Sequence, residues 1–166
     1  MRAFVMLIAS TTFASCQVNL LSSEQMQRVA AQDAADLNLA RTVSASFAAD
    51  AMHVRVSEDI HDLTNWLLPN MTFNLCGSRL YKSRFVAFWA QGLIEKEKFP
   101  DPLILEPISA IVHEEFLSIL VKASGFMFEP NDELIIDFMK QADGSFKFSQ
   151  GSILTCRYDT TAELYK

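Results

Sequence analysis

One carboxylate in this chain stands where a carboxylate is costly. Asp137 lies inside Leu134-Ile135-Ile136-Asp137-Phe138-Met139. An acid with apolar flanks must be paired, protonated or turned outward. Kept protonated in an apolar site, it can donate a hydrogen bond to an enolate near neutral pH. Turned outward on a strand, it can pair across a sheet with Lys122 or Lys147. Which face it takes decides between acid catalysis and a structural role, and an apolar flank does not fix the face. Asp137 is therefore the single catalytic candidate, with Asn74 as a second polar group that a cavity could bring beside it.

The other reactive side chains support less. His53, His61 and His113 are the only histidines. His53 and His61 stand about two helical turns apart and could share a face, while His113 and Glu115 would share one side of a strand. Zinc needs three or four converging ligands, and neither H-x-x-x-H nor C-x-x-C spacing occurs, so no metal is expected. No Gly-x-Ser-x-Gly elbow supports a serine nucleophile. The five glycines are scattered and form no phosphate cradle. No cofactor is expected on these grounds. Phenylalanine is abundant, at thirteen. Phe116, Phe126 and Phe138 on the late strands, together with Asn74, are candidates to line a pocket for a small apolar ligand. The plainer reading of such residues is core.

The N-terminus bears on compartment. Met1-Arg2 is followed by the apolar block Ala3–Ala9 and by the small or polar run Ser10–Cys16. The block is too short to span a bilayer, so residues 1–16 read as a secretory signal, with the mature chain starting near Gln17. Phe13-Ala14-Ser15-Cys16 also loosely resembles a bacterial lipoprotein cleavage box. Secretion would place the chain where disulfides persist. Loss of Arg2 takes the net charge from −6 to about −7, which argues against a nucleic-acid partner. No later segment reaches the ~20 apolar residues of a membrane span. Asn70-Met71-Thr72 fits the N-glycosylation pattern, so a eukaryotic source would be expected to place a glycan on Asn70.

The elements that must position these residues fall into a helical half and a strand half. Ser22 and Gln25 have the spacing of a capping box. From Val29 to Val54, apolar residues recur at threes and fours, predicting a long helix with an Ala-rich face for a sheet. Residues 17–34 read as an arm or helix extension. A break is expected near Ser57-Glu58, then a short helix from His61 to Leu68, stopped by Pro69-Asn70. Met71–Cys76 alternates as a strand and Gly77-Ser78 turns. Ser83 opens a third helix that ends in the charged run Glu95–Lys98. Leu103–Phe116 and Ser118–Phe128 read as long strands, the first bent at Pro107, with a turn at 129–132. Glu133–Gln141 and Phe146–Thr155 flank the hairpin dipeptide Asp143-Gly144. Gly151 marks a bulge or bend. Leu134-Ile135-Ile136 is apolar on both faces, so the sheet needs covering twice, once by helices and once by a partner such as a second copy.

This order resembles the nuclear transport factor 2-like superfamily, an α+β cone in which a curved, mostly antiparallel sheet wraps around three helices. The resemblance covers roughly 35–158. It rests on Leu67-Leu68-Pro69-Asn70, the aromatic-bearing strand Met71–Cys76, and Arg79-Leu80-Tyr81 leading into the helix Ser83–Gly92. Small secreted nematode members are the nearest subset by pattern, and a cystatin-like sheet around one helix is the alternative fold. The superfamily includes ketosteroid isomerase and polyketide cyclases, which place an acid or base deep in the cone and a tyrosine on the first helix. Here the first helix has no tyrosine. Three functions follow as expectations: a secreted, non-catalytic binding or interaction module; an isomerase or hydrolyase using Asp137 in the cone; or an apolar-ligand carrier. The resemblance also puts the first and last strands side by side and parallel, which implies a Cys76–Cys156 disulfide. Residues 159–166 are left as a C-terminal tail.

Overall fold

A computed structural model describes residues 22–57, 59–94 and 100–156. The expected signal, the cleavage point, the start of the arm, the charged run at 95–98 and the tail lie outside the described residues. Helix α1 runs from Ser23 to Ser57, about 52 Å at 1.5 Å per residue. It opens with the expected capping box. The Ser22 amide donates to Gln25 Oε1 (2.8 Å) and the Gln25 amide to Ser22 Oγ (3.2 Å). Residues 22–35 are exposed. From Ala40 onward the stripe Ala40, Val43, Phe47, Ala51 and Val54 is buried.

Helix α2 (His61–Trp66) is shorter than the sequence predicts. It stops at Trp66 because Leu67 is already extended, at φ −94° and ψ 125°, and Leu68 precedes a proline, which disfavours helix. Strand β1 is Leu67–Leu75, so Pro69-Asn70 lies within a strand and is not a stop. Cys76 (φ 49°) and Gly77 (φ 89°) form a tight left-handed turn into β2 (Ser78–Tyr81), with Leu75 opposite Ser78. Helix α3 is Lys82–Ile94. Four strands follow: β3 (Ile104–Val112), β4 (Phe116–Gly125), β5 (Phe128–Lys140) and β6 (Phe146–Ile153).

The six strands form one sheet in the order β2-β1-β6-β5-β4-β3. All pairs are antiparallel except β1 with β6, which is parallel, with Phe73 opposite Gly151. The long strand expected over 103–116 is broken. His113, Glu114 and Glu115 form the β3–β4 turn, closed by the His113 amide on Phe116 O (2.8 Å), so His113 and Glu115 do not share a strand face. The next turn also moves, from 129–132 to Phe126-Met127, where Gly125 pairs with Phe128. Residues 129–132 are strand because buried Asp132 accepts the Glu129 amide (3.0 Å) and the Thr155 hydroxyl (3.0 Å), tying β5 to the chain beyond β6. The Asp143-Gly144 hairpin forms as a longer loop, in which Gln141 N–H donates to Ser145 O (2.7 Å). Pro107 does mark an irregularity, the register shifting between Pro107 and Ser109. The bulge expected at Gly151 sits instead at Ser149, where Asp137 pairs with Gln150 but Phe138 pairs with Phe148. Gly151 serves a different need. A Cβ there would stand 2.8 Å from Phe73 and 2.9 Å from Phe148, inside contact distance.

The concave face of the sheet closes on the helices through aromatic rings. Phe47 of α1 packs against Trp66, Trp89, Phe138 and Phe148 at centroid distances of 5.6 to 6.4 Å. Phe85 of α3 lies 5.3 Å from Phe73 and 5.6 Å from Phe148. Trp89 meets Phe126 at 4.8 Å. Edge-to-face and offset pairs at these separations are the favoured arrangements of aromatic side chains.

Candidate functional site

The interior of the cone is filled. The space between Phe47, Phe73, Phe85, Trp89, Leu134 and Phe148 amounts to about 10 Å³, room for one water at most. Of the sequence-predicted pocket residues, Phe126 and Phe138 belong to this packed core, at 4 % and 0 % exposure. Phe116 faces the other side of the sheet, half-buried and stacked on His113 at 5.0 Å. Asn74 is exposed, and its side-chain oxygen accepts the Gly77 amide (2.9 Å), closing the β1–β2 turn. These four residues do not line a common cavity.

Asp137 is outside the cone. Leu134, Ile136 and Phe138 point inward and are buried, so strand alternation puts Ile135, Asp137 and Met139 on the outer face. There Asp137 pairs with neither Lys122 nor Lys147. Its Oδ1 accepts the Ser118 hydroxyl (2.5 Å) and its Oδ2 the Gln150 amide (2.6 Å), both from adjacent strands, while its carbonyl accepts from Ser149 Oγ (2.9 Å). The carboxylate is satisfied by neutral donors within its own sheet face. It does not line the space inside the cone.

The histidines do not converge. His53 on α1 pairs through Nδ1 with Asp62 Oδ2 at 2.8 Å. His61 starts a different helix, so the two share no helical face. Among the described residues, no three His, Cys, Asp or Glu side chains could hold a metal ion. Cys76 and Cys156 form the disulfide, with Cα atoms 5.3 Å apart across the parallel β1–β6 ends. No helix among the described residues is long and apolar enough to cross a membrane.

Two surfaces remain. The first is the outer sheet face, where Ile104, Ile108, Ile111 and Ile135 are 55, 42, 66 and 38 % exposed. The second was not anticipated from the sequence. It is an open cleft of about 410 Å³ between α1, α2 and the start of β6. Thr42, Ser46 and Asp50 line it at four-residue spacing along α1, Asp62, Asn65 and Trp66 from α2, Ser145 from the turn before β6, and Phe146 and Lys147 from β6 itself. The i, i+4 polar row on α1 was visible in the sequence, but nothing local brings residues 145–147 to it. Lysines hold α2 in place. Lys82 Nζ donates to Thr64 O (3.1 Å) and Leu67 O (2.9 Å), and Lys147 Nζ donates to Asn65 O. Ammonium groups on the carbonyl end of a helix complement its dipole.

No protein-family model and no curated protein sequence matches the chain. Solved structures do match. A five-substitution variant of Rd1NTF2_05 superposes with a TM-score of 0.54, covering 70 % of this chain and 96 % of its own at 13 % identity. The chain has the nuclear transport factor 2-like fold. Rd1NTF2_04 with long sheet aligns at a TM-score of 0.48 and 13 % identity, over 66 % of this chain and 98 % of its own. An NTF2-like protein from Cytophaga hutchinsonii aligns at 0.43 and 16 % identity, over 63 % and 88 %. At these identities the likeness is one of fold. In this chain the interior of that fold is lined by packed rings.

Proposed function

We propose that this nuclear transport factor 2-like chain is a secreted, non-catalytic interaction module. Its contact surface is the outer sheet face, and its partner there is a second copy of itself. The observation that carries this reading is the filled cone. With about 10 Å³ inside, neither an enzyme's substrate nor a carrier's apolar ligand has a place among the core residues. The binding surface must therefore be external.

The outer face suits a copy of itself. Its exposed isoleucines form an apolar zone on a net acidic chain. Beside them a charge row crosses three strands, Glu106 opposite Lys122 opposite Glu133. A two-fold interface must be complementary to itself, and a row carrying both signs meets that demand where a purely acidic patch would repel. Asp137 brings its own donors, Ser118 and Gln150, so covering it leaves no oxygen without a partner. Secretion is supported by the N-terminal pattern and by the disulfide, a bond that persists in oxidising compartments. Asn70 is exposed on β1, across the sheet from the isoleucines of β3, so a glycan there leaves the proposed interface open.

Light scattering on size-separated, secreted protein tests the proposal. A dimer mass is expected, with Ile111→Glu shifting it to the monomer while circular dichroism is unchanged. A wild type that stays monomeric at NMR concentrations would refute the self-association. N-terminal sequencing should find a start near Gln17, and glycosidase should change the gel mobility of wild type but not of Asn70→Gln when the host is eukaryotic.

A further inference from the structure

The cleft between α1, α2 and β6 has no part in the proposed interface, and its chemistry is specific. Two aromatic side chains, Trp66 and Phe146, are half-buried in its wall. Trp66 is fixed on both sides. Its indole packs edge-on against Phe47 (5.6 Å) and Phe138 (6.0 Å), and its Nε1–H donates to Asp50 Oδ2 at 2.8 Å. A carboxylate is thereby held at the rim of an indole. Asp50 has no cationic partner among the described residues, since the ion pairs there are Arg28–Glu24 and His53–Asp62. The cleft's one lysine is already engaged, with Lys147 Nζ on the Asn65 carbonyl. Lys147 keeps its charge there and Asp62 is paired with His53, so Asp50 is the one carboxylate lining the cleft with no cationic partner among the described residues. Hydroxyls of Thr42, Ser46 and Ser145 also line it, with Val43 and Asn65.

We infer that this cleft binds an organic cation, a protonated amine or quaternary ammonium attached to an apolar body. A cation beside an aromatic face gains cation–π attraction, and the Asp50 carboxylate adds a direct counter-charge at the same place. The volume of about 410 Å³ lies in the range of small-molecule sites and is far larger than a bare metal ion needs. The absence of any three-ligand metal group among the described residues further selects an organic cation over an inorganic one. The aromatic pair would take the apolar body, and the hydroxyls would meet the remaining N–H groups.

The test uses 2-phenylethylamine as probe and 2-phenylethanol as its neutral counterpart, each titrated into folded, disulfide-intact protein at a pH where the amine is charged. The readout is the indole N–H resonance of Trp66 in proton–nitrogen correlation spectra, assigned with Trp66→Phe. The amine should shift it saturably, with an affinity at least ~10-fold above that of the alcohol, the factor that about 1.4 kcal/mol represents. Asp50→Asn should remove most of that preference. Ser46→Arg, at an exposed site on the same helix face, places a tethered cation in the cleft and should abolish amine binding even if Asp50→Asn alters the fold. Equal binding of amine and alcohol, a linear unsaturated shift, or an amine response untouched by Ser46→Arg would overturn the assignment.

Discussion

Ser44 is the one buried side-chain polar atom without a hydrogen-bond partner among the described residues. It is fully buried on the core face of α1. An unsatisfied hydroxyl pays its desolvation without return, so Ser44→Ala should raise stability by about 1 kcal/mol, seen as a higher denaturant midpoint at unchanged slope. Gly151 presents the reverse case. Gly151→Ala adds a methyl group against Phe73 and Phe148, and overpacking of this kind costs about 1–3 kcal/mol. Asp143 offers a pH test. The Ser145 hydroxyl and amide donate to its carboxylate and hold its pKa below the usual carboxylate range. The charged form is thus favoured in the folded chain. The turn's contribution is present above the carboxyl's ordinary range and is lost as pH falls through the lowered folded value. A carbon-detected titration should show this, and Ser145→Ala should move the Asp143 midpoint upward.

At the scale of elements, the sequence was legible where local signals were strong. The capping box at Ser22 and Gln25, the break at Ser57, the bend at Pro107 and the strand alternation of Met71, Phe73 and Leu75 all form as their residue types dictate. Errors arose where tertiary bonds outweighed local preference. Glu129-Pro130-Asn131-Asp132 has turn composition, yet the buried Asp132 carboxylate draws the segment into β5 from a partner 23 residues away. Asp132→Ala should therefore cost about 1–3 kcal/mol, because it orphans the Glu129 amide and the Thr155 hydroxyl. The site was less legible than the fold. The face taken by Asp137 follows from register, which no single strand specifies. The cleft joins three segments, and only its α1 row had a pattern to find. The disulfide was within reach because it follows from strand order once the fold family is named.

For the whole molecule, the deciding property is that the cone's volume is spent on rings. Phe148 contacts Phe47, Phe73, Phe85 and Phe138 and is 1 % exposed. Phe148→Ala should destabilise the chain by about 3–5 kcal/mol. If it still folds, it should open a dry apolar cavity that binds benzene or xenon, which the wild type should not. Xenon-induced shifts confined to the variant would show that only packing separates this chain from a carrier, and shifts of equal size in the wild type would contradict the filled interior.

The Cys76–Cys156 bond joins residues 80 apart in sequence, and the span it encloses contains β2 to β6 and α3 but not α1 or α2. In mechanical terms the chain is a closed loop with a handle. Tension applied between the two chain ends passes from Cys156 straight into Cys76, bypassing everything between them, and falls on α1, α2 and β1 alone. Pulled in a single-molecule instrument, the intact protein should extend by the length of its N-terminal half only, releasing the helix that fills the cone while the linked loop bears no load. Reduction should add about 80 residues of slack, up to ~3.6 Å for each, as a separate event. The same asymmetry applies to a protease. A cut anywhere within the loop leaves both pieces tethered, whereas a cut between α1 and α2 severs the handle.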